Sequence, residues 1–329
     1  MKKKILVARE IFPEVIERLG RHFELETNQE DRIFTEAELA VKLADKDGIF
    51  STLSERITPA VVQAGGRLKA ICNMAVGYNN IDVAAATAAG VLVTNTPEVL
   101  NETTADFGFA LMMATARRVT ESEQWLREGK WDRWRYDGFM GVDVHGSTLG
   151  IIGMGRIGQA IARRSMGFDM QVIYHNRSRL DPALEARANN ARHVSRDELL
   201  RTADHVMLVV PYSPQLHHMI GAAEIALMKP DATLVNIARG GVVDDAALIA
   251  ALKERRIAGA GIDVFENEPA FNPGFLELKN VVLTPHIASS SRNTRLAMAN
   301  CAADNLIAAL AGERPPNLLN PDALGQSRS

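Results

Sequence analysis

The sequence predicts an α/β protein with two domains, each built on a parallel sheet. The chain has 329 residues, about twice the roughly 150 residues of a typical domain. Short apolar runs alternate with amphipathic stretches along nearly the whole chain, which is the pattern of repeated βαβ units. The composition, 47% hydrophobic and 23% charged, is that of an ordinary globular protein.

The first series of elements covers the N-terminal hundred or so residues. Its apolar runs predict strands, and its stretches with apolar residues at helical spacing predict helices. The predicted strands are residues 4–8, 47–53, 68–75 and 91–95, and the predicted helices are residues 13–22 and 35–44.

A single long helix is predicted next, from about residue 102 to residue 129. Asn101 can cap its start, apolar side chains recur at helical spacing, and Gly129 can end it. The aromatic segment 131–136 that follows is interpreted as a loop or arm, either packed on its own chain or buried in a subunit contact.

A second series of apolar runs begins near residue 148 and predicts a second sheet. A final helix is expected over residues 291–311, where Gly312 and the following prolines end the apolar periodicity. The predicted strands of this series are residues 148–152, 171–174, 205–210, 233–237, 259–264 and 281–283.

Charge, hydropathy and cysteine content exclude several classes of partner. The net charge is -3 and the basic residues are scattered, so no basic surface for nucleic acid is expected. No apolar run approaches the roughly 20 residues that a membrane helix needs, and Arg9 and Glu10 interrupt the only candidate signal peptide. Cys72 and Cys301 have no C-x-x-C spacing, which favours core positions in a protein of the reducing cytoplasm.

The strongest single motif is a glycine-rich turn, Gly153-Met154-Gly155-Arg156-Ile157-Gly158, between a predicted strand and a predicted helix. In that context each glycine has a physical role. Gly153 permits the tight turn, Gly155 lets the backbone approach a pyrophosphate, and Gly158 lets helix and strand pack closely. The pyrophosphate would lie at the helix N-terminus, where N–H groups and the helix dipole favour an anion.

The loop after the next strand predicts which dinucleotide is bound. Its residues are Asn176, Arg177, Ser178 and Arg179, without the carboxylate that normally accepts hydrogen bonds from the ribose 2′-hydroxyl of NAD. Guanidinium groups favour a 2′-phosphate. The loop therefore predicts NADP, with NAD possible, unless the arginines are simply solvated.

Three polar residues follow predicted strands near the C-terminal half: Arg239, Glu268 and His286. Because ligands bind at the carboxyl ends of parallel strands, these residues are predicted to converge on the cofactor. Arg239 can bind a substrate carboxylate, His286 can exchange a proton with a carbonyl oxygen, and Glu268 can stabilise the protonated imidazole. Together they predict hydride transfer to a 2-keto acid, although each residue alone would more often be structural.

No metal is assigned from the sequence. The adjacent pair His217 and His218 is the nearest approach to a ligand pattern, but no cysteine or carboxylate lies near it at zinc-site spacing.

Six segments together resemble the D-isomer-specific 2-hydroxyacid dehydrogenase family over nearly the whole chain. The stretch 143–158 and the loop after Tyr174 are most similar to its branch of bacterial glyoxylate/hydroxypyruvate reductases, also described as 2-ketogluconate reductases. The six segments are residues 76–82 (VGYNNID), 102–106 (ETTAD), 153–158 (GMGRIG), 235–240 (VNIARG), 261–265 (GIDVF) together with Glu268-Pro269, and 284–287 (TPHI).

The resemblance implies a doubly wound Rossmann cofactor domain, residues 102–289, inserted into a flavodoxin-like substrate domain of residues 1–101 and 290–329. It further implies a homodimer and a small 2-keto or 2-hydroxy acid as substrate. The implied substrate-binding residues are Leu53, Val76, Gly77, Arg239, His286 and Ser289. Besides the glycine turn and the loop 176–179, the implied cofactor-binding residues are Thr104, Val210, Pro211, Ile237, Ala238, Arg239, Asp263, His286 and Ala288.

Asp263 has a second interpretation, as a buried strand-end carboxylate that holds a loop. Two other functions are also considered for the chain: a 3-phosphoglycerate dehydrogenase-like enzyme, and a catalytically idle protein that senses dinucleotides. Among keto acids, glyoxylate, hydroxypyruvate and 2-ketogluconate all remain open.

Overall fold

The computed structural model describes residues 2–325. Within them the chain forms two compact units. Unit 1 comprises the described residues up to Leu100 together with those from Ser291 onward, and unit 2 comprises Asn101–Ser290. Each unit contains one sheet, and every strand pair in both sheets is parallel. The predicted fold class, two parallel α/β sheets, is therefore confirmed.

Unit 1 has a five-stranded sheet in the order β2-β1-β3-β4-β5. This is the flavodoxin-like order, in which the direction of winding reverses between β1 and β3. The strands are β1 (Lys4–Val7), β2 (Glu24–Thr27), β3 (Gly48–Ser51), β4 (Ala70–Asn73) and β5 (Leu92–Thr94), and the helices are α1 (Pro13–His22), α2 (Glu36–Leu43), α3 (Pro59–Ala64), α4 (Val83–Ala88) and α12 (Arg292–Ala311).

The central strands β3 and β4 of unit 1 are buried along their whole length, as expected for a parallel sheet covered by helices on both faces. Helix α12 covers much of one face of this sheet. A Cβ atom added to Gly48 would lie 3.0 Å from Leu306 Cδ1, so the absence of a side chain there lets α12 pack directly on β3. Gly312, with φ +84°, ends the helix.

Unit 2 has a seven-stranded sheet in the order β12-β11-β10-β9-β6-β7-β8. This is the Rossmann order with one further strand, and its winding reverses between β6 and β9. The strands are β6 (Thr148–Ile152), β7 (Gln171–His175), β8 (Arg192–His193), β9 (His205–Leu208), β10 (Thr233–Asn236), β11 (Gly259–Ile262) and β12 (Val281–Leu283), and the helices are α5 (Asn101–Ala116), α6 (Val119–Arg127), α7 (Arg156–Ser165), α8 (Pro182–Arg187), α9 (Arg196–Thr202), α10 (Ala222–Ile225) and α11 (Asp245–Lys253).

The prediction of one helix over residues 102–129 is wrong, because the chain forms α5 and α6 with a break between them. Arg118 adopts a left-handed conformation, φ +53°. The chain returns at Gly141 and Val142, and the Val142 N–H donates to the Ala116 carbonyl at 2.9 Å. A helix continued through the break would need that carbonyl for its own hydrogen bond.

The aromatic segment after α6 has no regular secondary structure, and its large side chains are exposed. The exposed fractions are 62% for Trp131, 78% for Trp134, 83% for Tyr136 and 67% for Met140. Packing on the same chain, one of the two interpretations offered for this segment, therefore does not describe these side chains.

No helix within residues 2–325 combines the length and the hydropathy of a membrane span.

Candidate active site

The site residues of unit 2 lie where its parallel strands end. The glycine turn follows β6, Arg239 follows β10, Asp263 follows β11 and His286 follows β12. Because the strands are parallel, all these positions lie at one edge of the sheet.

The glycine turn has the geometry that a close phosphate contact requires. Gly153 has φ +103°, and a Cβ there would lie 2.7 Å from the Val209 backbone. A Cβ on Gly158 would lie 2.3 Å from the Gly153 carbonyl oxygen. By contrast, a Cβ on Gly155 would meet nothing within 4 Å. Tight packing thus requires Gly153 and Gly158, whereas the space at Gly155 is open for a ligand.

Two further features of unit 2 fit a bound dinucleotide. Gly155 is the N-cap of α7 and provides no capping side chain, so the positive end of the helix is suited to an anion. Thr104, in the first turns of α5, is buried, and its Oγ1 has no hydrogen-bond partner among the described residues. A buried hydroxyl without a partner is unfavourable, and a polar group of a ligand would satisfy it.

The loop after β7 gives its two arginines different surroundings. Asn176 Oδ1 accepts from the Met154 N–H at 2.7 Å, which ties the loop to the glycine turn. Arg179 forms two hydrogen bonds to the buried Glu185 carboxylate, at 2.9 and 2.7 Å. Arg177 is exposed. Arg177 is therefore better placed than Arg179 to meet an added phosphate.

His286 and Glu268 lie in direct contact. His286 Nδ1 and Glu268 Oε2 are 2.8 Å apart, and the other carboxylate oxygen of Glu268 accepts from the Phe265 N–H at 2.7 Å. A carboxylate can only accept hydrogen bonds, so Nδ1 carries the hydrogen of the pair. This leaves Nε2 as the ring nitrogen available to a ligand.

Arg239 is half-buried at the end of β10, and its Nη1 donates to the Ala238 carbonyl at 2.7 Å. Burial lowers the pKa of its guanidinium, and the negative charge of Glu268 acts in the opposite direction. Unit 2 thus brings a guanidinium, a carboxylate and an imidazole to one edge of its sheet.

Asp263 holds the loop that carries His286. Its carboxylate is fully buried and accepts from Thr284 Oγ1 at 2.7 Å, from the Ile287 N–H at 2.8 Å and from the Ala288 N–H at 3.0 Å. Burial raises the pKa of Asp263, while these hydrogen bonds act in the opposite direction. The interpretation of Asp263 as a loop-holding carboxylate describes these contacts.

In unit 1, Val76 and Gly77 lie in a turn after β4, and two asparagines fix their carbonyl groups. Asn95 Nδ2 donates to the Val76 carbonyl at 2.9 Å, and Asn73 Nδ2 donates to the Gly77 carbonyl at 3.0 Å. Each carbonyl shares its peptide plane with the N–H of the next residue, so the Asn95 bond orients the N–H of Gly77. The Ala75 carbonyl, which accepts from the Thr96 N–H at 2.9 Å, orients the N–H of Val76 in the same way.

Leu53 lies half-buried in the neighbouring loop, after β3. Asn80 Nδ2 donates to the carbonyls of Thr52 and Glu55, both at 2.9 Å. The side chain of Asn80 therefore ties the loop of Leu53 to the segment that follows Gly77.

The remaining predicted residues of unit 2 line the same edge of its sheet or the turns next to it. Met154, Ile237, Ala238 and Ala288 are buried, Ile157, Val210 and Ser289 are half-buried, and Arg156, Ser178 and Pro211 are exposed.

Sequence reasoning missed several residues that the structure brings to these loops. Glu185, which binds Arg179, lies in a helix of ordinary surface composition, and the Phe265 N–H, which orients Glu268, is a backbone group. Neither has a sequence signal. Asn80 stands in the segment 76–82 that carries the family resemblance, and that was the one available indication.

Comparison with known proteins gives a family match. A model described as the D-isomer specific 2-hydroxyacid dehydrogenase, NAD binding domain, matches residues 109–288. A relative named glyoxylate reductase, from Thermococcus gammatolerans, is 48% identical over 328 residues, covering 98% of each chain.

Two solved structures show the same similarity in three dimensions. One is an NADPH-dependent glyoxylate/hydroxypyruvate reductase from Sinorhizobium meliloti in complex with NADP and malonate, with TM-score 0.88, 34% identity and 100% of each chain covered. The other is a glyoxylate reductase from Paecilomyes thermophila, with TM-score 0.87, 32% identity, and 97% of this chain and 98% of that one covered.

Proposed function

Because the chain belongs to the D-isomer specific 2-hydroxyacid dehydrogenase family, we propose that it reduces glyoxylate and related small 2-keto acids, with NADPH as the preferred cofactor. The family prediction is thereby confirmed, and the protein is an NAD(P)-dependent dehydrogenase of D-2-hydroxy acids. The names of its relatives from Thermococcus gammatolerans and Sinorhizobium meliloti support glyoxylate and hydroxypyruvate as substrates. We include 2-ketogluconate as a third candidate, from the resemblance of the sequence.

The contact between His286 and Glu268 is the observation that carries the proposal. With Nδ1 bonded to Glu268 at 2.8 Å, His286 can present a proton to substrate only through Nε2. Glu268 keeps the ring in this orientation and stabilises it when both nitrogens are protonated. Phe265 in turn fixes Glu268. Such a chain of contacts suits a general acid that must be protonated before each reduction.

Arg239 and His286 then have separate roles in the proposed reaction. Arg239 binds the substrate carboxylate through its planar guanidinium. When bound, the reduced nicotinamide supplies the hydride that adds to the keto carbon. The electron pair of the opening C=O bond moves to oxygen, which takes the proton from His286 Nε2. In the oxidative direction His286 accepts that proton back.

We assign the substrate domain to residues 1–101 and 290–329, and the cofactor domain to residues 102–289. The N–H groups of Val76 and Gly77 are proposed to bind the substrate carboxylate, because Thr96 and Asn95 fix the carbonyls of the same two peptide groups. Leu53 and Ser289 are proposed to border the substrate.

Preference for NADPH is proposed from the loop after β7. Residues 176–179 of this loop include no carboxylate to accept bonds from a ribose 2′-hydroxyl, and Arg177 is exposed there. Charge-assisted hydrogen bonds to a phosphate are among the stronger ones in proteins. The NADPH dependence named for the Sinorhizobium meliloti relative is consistent with this choice.

A homodimer is proposed from the exposed aromatic segment. Trp131, Trp134, Tyr136 and Met140 are each more than 60% exposed, and clustered large apolar side chains of this kind mark interaction surfaces. Light scattering during size exclusion tests the assignment: a dimer that Trp134→Asp converts to monomer supports it, and a monomeric parent excludes it.

The free cysteines support the cytoplasm as the compartment.

A substrate panel tests the activity. Glyoxylate, hydroxypyruvate and 2-ketogluconate are each supplied with NADPH and with NADH, and kcat/KM is taken from the loss of reduced-cofactor absorbance. We expect turnover of glyoxylate that is faster with NADPH. Tight cofactor binding without turnover of any 2-keto acid would instead favour the dinucleotide-sensing alternative.

A further inference from the structure

Two adjacent histidines and a glutamate from a distant loop meet on unit 2, outside the proposed catalytic set. One ligand atom each from His217, His218 and Glu266 lies within 4.8 Å of the other two. The imidazole rings are stacked, with centroids 3.9 Å apart and planes inclined by 23°. His218 Nε2 contacts Glu266 Oε1 directly. The sequence could not show this cluster, since Glu266 is 48 residues from His218.

The backbone fixes the orientation of His218. It has φ +53°, a left-handed conformation that is uncommon for a residue other than glycine. Its N–H donates to the Gly241 carbonyl at 2.7 Å. Asp244 Oδ2 lies 3.8 Å from His218 Nδ1, the nitrogen that does not face Glu266. The histidine is thus held with one nitrogen toward Glu266 and a second acidic group near the other.

We propose that His217, His218 and Glu266 bind a divalent transition-metal ion of the Zn²⁺ class. Two imidazole nitrogens and one carboxylate oxygen form a ligand set that zinc commonly takes, with water as the fourth ligand. Ligand atoms bonded to one tetrahedral zinc ion lie about 3.4 Å apart. Both histidines are exposed and Glu266 is half-buried, so modest side-chain rotation closes the 4.8 Å span. The carboxylate of Asp244 adds the outer acidic group that often supports a metal-binding histidine.

The ion would connect two loops of unit 2, the one after β9 and the one that contains Glu266. The loop that contains Gly241 is held to the first of these by the His218 N–H. Gly241 is two residues after Arg239, and Glu266 is two residues before Glu268. The site therefore lies next to two segments of the proposed active site but uses none of its residues. Metal binding can be tested without any assay of activity.

The test uses the full chain without an affinity tag, stripped of metal with a chelator. Co²⁺ is added and followed by its visible absorption, and Zn²⁺ is measured by competition with a chromophoric chelator. We expect one ion per chain. His218→Ala and Glu266→Gln should each weaken metal binding by at least about tenfold. Metal affinity falls by at least about that factor even when the residue removed only supports a ligand. Zn²⁺ should also raise the Tm of the parent more than that of either variant, because a ligand of the folded state stabilises it.

His145→Ala is the matched control. His145 is exposed and also lies beside a carboxylate, with Nδ1 3.8 Å from Asp169 Oδ2, but it has no second histidine. Its loss should leave metal binding unchanged. Two outcomes overturn the proposal: a parent chain that binds no stoichiometric ion, or affinities in His218→Ala and Glu266→Gln equal to that of the parent. Glu266→Gln keeps the shape of the side chain, so it remains informative if the histidine variant folds poorly.

Discussion

Asp263 accepts the backbone N–H of His286 on its carbonyl oxygen at 2.8 Å. Its carboxylate holds the two residues that follow the histidine. His286 itself has φ +53°, a conformation that non-glycine residues keep only where surrounding contacts enforce it. Asp263 provides those contacts from inside the sheet, so the position of the imidazole depends on a buried residue one strand away.

Asp263→Asn should lower both stability and activity. An amide keeps the shape of the carboxylate but turns an NH₂ group toward one of the backbone donors, which leaves a buried group without a partner at a cost of about 1–3 kcal/mol. Urea unfolding gives the stability change, and kcat/KM for glyoxylate gives the loss of activity. Asp231→Asn, at an exposed position, serves as the control. A variant that matches the parent in both measurements would show that Asp263 does not position His286.

His286→Gln should lower kcat by about 10²- to 10⁴-fold, the usual contribution of general acid catalysis, while NADPH affinity changes little. Glu268→Gln should cause a smaller loss, because it removes the charge that orients the ring but leaves the imidazole in place. Cofactor affinity is measured by fluorescence titration and kcat by steady-state kinetics. Full activity in His286→Gln would exclude the proposed proton donor.

Arg177→Ser should reduce the ratio of kcat/KM with NADPH to kcat/KM with NADH by about tenfold or more. A hydrogen bond between charged groups contributes about 1.5–3 kcal/mol, and each 1.4 kcal/mol is about a factor of ten. Arg179→Ser should change the ratio less, because Arg179 binds Glu185. If Arg179→Ser has the larger effect, the assignment of the phosphate to Arg177 is wrong.

Glu185 should stabilise the folded chain at neutral pH, and this stabilisation should be lost in acid. Hydrogen bonds from Arg179 and then Tyr174 lower the pKa of Glu185 from 4.5 to about 2. A carboxyl with a lowered folded-state pKa stabilises the protein above its unfolded-state pKa, and this contribution is lost as the pH falls through the folded-state value. The Tm difference between parent and Glu185→Gln should therefore narrow as the pH is lowered from about 5 toward about 3. A difference that widens in acid would contradict the assignment.

Substitution by alanine should lower stability at one glycine of the phosphate-binding turn and cofactor affinity at another. Gly158→Ala places a Cβ 2.3 Å from the Gly153 carbonyl, so it should destabilise the fold by about 1–3 kcal/mol, the range for overpacked sites. Gly155→Ala has open space and should fold like the parent, yet bind NADPH more weakly because its methyl group enters the space proposed for the pyrophosphate. Thermal unfolding and cofactor titration of both variants separate the two effects. Normal cofactor binding by Gly155→Ala would place the pyrophosphate elsewhere.

Most strands within residues 2–325 could be predicted because their buried residues are apolar and their ends carry turn signals. Among the helices described there, only α1, α2, α7 and α12 match a prediction. The missed strands, β2 (ELET) and β8 (RH), are short, polar edge strands, where one side of the ladder is unpaired and burial imposes no apolar pattern. The break after α5 could not be predicted either. It depends on the chain returning at Gly141 and Val142, and local periodicity carries no information about such a contact.

The candidate site likewise includes residues that could be predicted from the sequence and contacts that could not. Arg239, Glu268 and His286 could be proposed from the sequence because each follows a predicted strand of a parallel sheet. The pairing of Arg179 with Glu185, and the meeting of His218 with Glu266, depend on side-chain contacts between segments that no spacing rule connects. For that reason Arg177 and Arg179 could not be distinguished from the sequence, and no metal could be assigned from it.

The placement of α12 has a consequence for biosynthesis. Leu306 and Leu310 cover Gly48 on β3 so closely that a Cβ added there would lie 3.0 and 3.2 Å from their Cδ1 atoms, yet the ribosome makes them only after all of residues 101–290. Every strand of the seven-stranded sheet is made before them, so that sheet is built from one continuous segment of the chain. The N-terminal sheet must wait with one apolar face uncovered, and a nascent chain stalled before Arg292 should engage chaperones through that face.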